Sequence, residues 1–81
     1  MNIQLIRGNF NAKDALEIIT QMIDVKIKYH VSKISHSSNE EDVKVREVKI
    51  KRLQKDLFDI RNYIENGGGK VNIQSEIYLS K

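Results

Sequence analysis

The chain has no cysteine, no proline and no tryptophan among its 81 residues. Without cysteine there is no disulfide, and the thiolate sites that hold structural zinc are excluded. Only two histidines are present. His30 and His36 stand six apart, where zinc or nickel would want a tighter spacing and a third ligand, so neither a metal nor any other cofactor is expected. No apolar run approaches the roughly 18 residues of a membrane span. Arg7-Gly8-Asn9 breaks up the apolar start before it resembles a secretory signal, so the expectation is a cytoplasmic protein with no membrane partner. Aromatics are scarce at 6%, and the net charge of +3 is mild for a dedicated nucleic-acid binder.

The lack of cysteine matters because the chain is short. Surface scaling leaves a single domain of this mass burying only about 63% of the surface its unfolded chain exposes. Domains this small usually rely on a disulfide, a metal or a partner subunit. With the first two removed, association with another chain is the expected support.

Hydropathy patterning divides the sequence into four elements. Ile3 and Leu5 alternate with Asn2 and Gln4, the period of a half-buried strand over 2–7, which Gly8-Asn9 should end. Asn11 is a good N-cap, with Asp14 three residues on, for a helix over 12–34. Ala12, Leu16, Ile19, Ile23, Ile27, His30 and Ile34 form one stripe along it. Ala15, Ile18, Met22, Val25 and Tyr29 form a second stripe beside the first. Together they are wider than the ~100° that one packing partner requires, which predicts burial from two directions.

After a short loop, Ser38 is the expected cap of a second helix over 39–65, with Glu41 closing a capping box. Val43, Ile50, Leu57 and Ile64 recur every seven residues with Leu53 and Ile60 between them, a seam for packing along another helix. Arg46 occupies a seam position where an apolar residue is expected. Asn66-Gly67-Gly68-Gly69 stops this helix, and 70–80 reads as a strand with Val71, Ile73, Ile77 and Leu79 on one face. The fold class is therefore α+β. A β-α-α-β chain folds as a long antiparallel helical hairpin on a two-stranded antiparallel sheet. The last strand would span roughly 36 Å against roughly 20 Å for the first. Its far part, 77–81, is thus expected to lack a partner within the chain and to favour completion by homo-oligomerisation, as a dimer or a dimer of dimers. Met22, Val25, Tyr29, Ile77 and Leu79 are the candidate oligomer interface.

Residues 26–55 hold nine of the fourteen basic residues and carry +5, against −2 for the remainder. Lys44, Lys51 and Lys55 share one helix face with Arg52 at its margin. These four are the candidate surface for an anion or for nucleic acid, the alternative partner. Charges that complement helix dipoles, and the absence of interleaved aromatics, weigh instead toward a solvated face. Lys26, His30 and Lys33 border the apolar arc of the first helix, where a pair between Lys26 and Glu47 of the second helix is expected to tie the hairpin. Gly67-Gly68-Gly69-Lys70 follows a helix rather than preceding one, so it is a turn and not a phosphate loop. No serine triad, carboxylate pair or dinucleotide fingerprint is present, and the expected class is a non-enzymatic assembly or protein-interaction module.

Over its first twenty residues, with polar Asn2 and Gln4 on the strand, the chain resembles the ribbon-helix-helix repressors. That likeness implies a DNA-facing strand. The helices are about twice as long as in that family, and a second strand follows them. The block Lys26-Ile27-Lys28-Tyr29-His30, with Lys33-Ile34, is similar to a segment of short uncharacterised bacterial β-α-α-β proteins, a resemblance that implies no activity.

Overall fold

A computed structural model describes residues 1–81 and has the order β1 (Asn2–Phe10), α1 (Ala12–Ser35), α2 (Glu40–Gly67) and β2 (Val71–Tyr78). The two strands form an antiparallel sheet on which the helical hairpin packs, the α+β architecture that the patterning predicts.

Local chemistry sets the boundaries. The Asn11 side chain accepts from the Asp14 backbone N–H at 2.8 Å and donates to the Asp14 carboxylate at 3.1 Å, which starts α1 at Ala12. Asn39 rather than Ser38 caps α2: its Oδ1 accepts from the N–H groups of Glu41 at 2.8 Å and Asp42 at 3.3 Å. Three good cap residues stand in a row at 37–39, and Asn39 places its acceptor nearest the free N–H groups of the acidic first turn. Gly68 and Gly69 take positive φ values of 66° and 74°, and they turn the chain from α2 into β2.

The seam of α2 is inward along its whole length. Ile64 is buried, and Val43, Arg46, Ile50, Leu53, Leu57 and Ile60 are half-buried. The first stripe of α1 matches it, with Ile23 buried and its other members half-buried. The expected ion pair between Lys26 and Glu47 does not form; the three ion pairs present, Lys28–Asp24, Arg46–Asp42 and Lys55–Asp59, each lie within one helix.

The sheet departs from expectation in two ways. First, β1 continues through Gly8 and Asn9 to Phe10, and Met1 exchanges backbone hydrogen bonds with Leu79 at 2.8 and 2.9 Å. Residues 77–79 are therefore paired within the chain, contrary to the overhang expected there. A glycine weakens a strand, but a ladder already formed on both sides carries the chain through it. Second, the register shifts between Gln4 and Ile6, so Leu5 has no partner on β2. This bulge moves the inward positions from odd to even numbers. Asn2, Gln4, Arg7 and Asn9 consequently all stand on the outer face opposite Tyr78, Glu76, Gln74 and Asn72.

Burial is confined to one end. Ala15, Ile23 and Ile64 are the only buried residues. On the inner face of the sheet, Phe10, Ile6, Val71 and Ile73 are half-buried, whereas Ile3, Leu5, Ile77 and Leu79 are exposed. The molecule measures 46 × 33 × 13 Å with a radius of gyration of 15.3 Å, against roughly 12 Å for a compact chain of this length. Its accessible surface is 6607 Å², where a compact monomer of this mass exposes roughly 5,000 Å².

Candidate interaction surface

The free end of the sheet stands over the hairpin and leaves an apolar groove of about 860 Å³. Its walls come from three directions: Leu5, Ile73 and Ile77 from the sheet, Ile19, Met22 and Val25 from α1, and Leu53 and Ile60 from α2. The bulge at Leu5 helps to build it, because it lets Leu5 and Ile6 both serve the inner face. The second stripe of α1 explains the other wall. Near the connected end its members lie under the sheet, with Ala15 buried and Ile18 and Met22 half-buried. Toward the loop the sheet no longer reaches, and Val25 is left 67% exposed. The loopward part of the second stripe, Val25 and Tyr29, is thus left uncovered within the chain.

The predicted interface residues divide accordingly. Met22, Val25 and Ile77 line the groove together. Leu79 sits at the tip of the sheet against Met1. Tyr29 does not join them; its ring meets the His30 ring edge-on and lies within 5.8 Å of the Lys33 ammonium and the Arg46 guanidinium. Sequence reading missed Leu5 as a groove residue, although the adjacent apolar pair Leu5-Ile6 inside an alternating strand is a bulge signal. It also missed Val45, Val48, Phe58 and Tyr63, exposed apolar residues off the α2 seam.

The four residues of the predicted basic surface have different surroundings. Lys55 is tied to Asp59 at 3.0 Å. Lys51 is exposed, and Lys44 and Arg52 border a shallow recess with Val45 and Val48. Arg52 also lines a cleft of about 320 Å³ between the helices, shared with Lys26, His30, Lys49, Leu53 and Asp56. Arg46, the seam exception, bonds to Asp42 Oδ2 at 3.2 Å and to His30 Nδ1 at 3.0 Å. A guanidinium can only donate, so Nδ1 of His30 accepts and its ring proton sits on Nε2. Partial burial and the charges of Arg46, Lys49 and Lys26 hold the His30 pKa below the ordinary value of 6.5, which keeps the ring neutral near pH 7.

His36 lies apart, its Nδ1 donating to the Ser32 carbonyl at 2.8 Å, and no group of three His, Cys, Asp or Glu side chains converges as metal ligands would. On the outer face of the sheet the Tyr78 hydroxyl donates to the Glu76 carboxylate, which raises the Tyr78 pKa above its ordinary value. No helix is long and apolar enough to cross a membrane. No protein-family model matches this chain, and no curated protein or solved structure matches it significantly.

Proposed function

We propose that this chain is a small non-enzymatic assembly module whose working form is a homo-oligomer, with a second copy seated on the apolar groove. The observation that carries this reading is area. The 6607 Å² surface exceeds that of a compact monomer of the same mass by roughly 1,600 Å². A standard interface covers about 800 Å² on each partner, and obligate homodimers cover more. The excess matches what an obligate dimer would remove, and Leu5, Val25 and Ile77, all exposed, line one groove together. An occupant that covers the groove must be apolar along most of its length, a property the chain's own Ile3-Leu5-Ile77-Leu79 face supplies. A two-fold axis through the groove would let each copy present that face to the other.

Light scattering on the purified chain across the micromolar range tests the reading. The expected result is a mass of two or four chains, lowered toward one chain by Val25→Glu or Ile77→Glu. A strictly monomeric, cooperatively folded protein at tens of micromolar contradicts it.

A further inference from the structure

Beyond self-association, the geometry points to a binding site for a phosphate-class oxyanion in the cleft between α1 and α2 formed by Lys26, His30, Lys49 and Arg52. The cleft lies on the loopward edge of the apolar groove, with which it shares Lys26, Leu53 and Asp56.

Three observations support it. The first is convergence from two elements. Lys26 and His30 are one turn apart on α1, and Lys49 and Arg52 are one turn apart on α2, all four around one cavity of about 320 Å³. The second is the pairing of charges. Lys28, Arg46 and Lys55 each close an ion pair with an aspartate four residues away. Arg52 has Asp56 at the same spacing and does not close it, and Lys26 and Lys49 form no ion pair either. The three cations lining this cleft thus have no carboxylate bound to their donors. The third is His30. Arg46 occupies its Nδ1 at 3.0 Å, which leaves Nε2–H as a neutral donor. Burial lowers the His30 pKa, and the neighbouring charges of Arg46, Lys49 and Lys26 lower it further.

The ligand chemistry follows. Two ammonium groups, one guanidinium and one imidazole N–H supply donors to several oxygens of one tetrahedral anion. Asp56, the single carboxylate on the rim, leaves the cleft net positive and can accept from a singly protonated phosphate oxygen. The same donors fit a free phosphate or pyrophosphate and the phosphodiester of a nucleic acid.

The test is an NMR titration of the full chain at low ionic strength in two arms, sodium pyrophosphate and a short single-stranded oligonucleotide, with sodium chloride at equal ionic strength as reference. The His30 ring protons and the Lys49 and Arg52 amides are the reporters. Pyrophosphate is expected to give saturable shifts confined to these residues. Lys49→Gln and Arg52→Gln are each expected to weaken binding roughly tenfold. Both side chains are exposed, and an unchanged unfolding midpoint will show that the variants fold. Saturation by the oligonucleotide alone, lost in the same variants, assigns the site to a phosphodiester source. No saturable shift in either arm, or equal shifts in the double variant, overturns the proposal.

Discussion

Arg46 reaches across the hairpin to His30, Nη1 to Nδ1 at 3.0 Å, while its Nε holds Asp42 on its own helix at 3.2 Å. This link replaces apolar packing at the loop end of an otherwise aliphatic seam. It requires the neutral ring, since a protonated Nδ1 cannot accept. The folded chain therefore resists a proton that the unfolded chain takes up at about pH 6.5. Stability is fully present above that value and declines as pH falls from it toward the lower folded pKa, because the unfolded state binds more protons in that window. Thermal midpoints measured from neutral to mildly acidic pH should fall accordingly. His30→Gln, whose carbonyl still accepts from Arg46 without titrating, should flatten the slope in that window.

The same link makes Arg46→Leu informative. Leucine completes the seam, and removing a partly buried ion pair in favour of an apolar side chain is often neutral or stabilising. We expect the variant to be as stable as the parent or more stable by about 1 kcal/mol, with a shallower acid slope because the nearest cation to His30 is gone. A loss above about 2 kcal/mol would mean that the bond to His30 outweighs the desolvation of the guanidinium.

Leu5 offers a separation of folding from assembly. Deleting it joins Gln4 to Ile6 and turns the bulged strand into a regular one, with Ile3, Ile6, Gly8 and Phe10 still inward. The pairings Gln4–Glu76 and Ile6–Ser75 should survive, as cross-strand NMR contacts can verify. Association should weaken. Leu5 is 48% exposed, so covering what remains bare contributes about 1 kcal/mol per copy, and a symmetric dimer loses roughly tenfold or more in affinity.

Ile64 is the most deeply buried large side chain, 4% exposed. Ile64→Ala should cost about 3 kcal/mol by lost transfer energy and a residual cavity. With only Ala15 and Ile23 beside it in the buried set, that loss is a large share of any marginal stability. Denaturant unfolding should show the variant largely unfolded at low protein concentration.

Much of this fold is legible in the residues themselves. The heptad of α2 and the first stripe of α1 face each other as their spacing predicts, because a period of three and four over many turns has one solution. Strand ends and bulges are less legible. Gly8-Asn9 has the composition of a stop, yet β2 lies alongside, and a cross-strand partner overrides local preference. The parity switch at Leu5-Ile6 depends on which residue faces Glu76, a tertiary fact. Of the candidate site, the surplus apolar arc on α1 foretold the groove wall at Met22 and Val25. The cationic cleft escaped because it needs the register between α1 and α2, which sets Lys26 and His30 beside Lys49 and Arg52.

The central claim is that the groove is covered by a second copy. The most direct measurement is sedimentation velocity with parallel thermal unfolding over a wide range of protein concentration. The account predicts a dimeric or tetrameric species and an unfolding midpoint that rises with concentration, since association stabilises the folded state by mass action. A single monomeric species with a concentration-independent midpoint would contradict it.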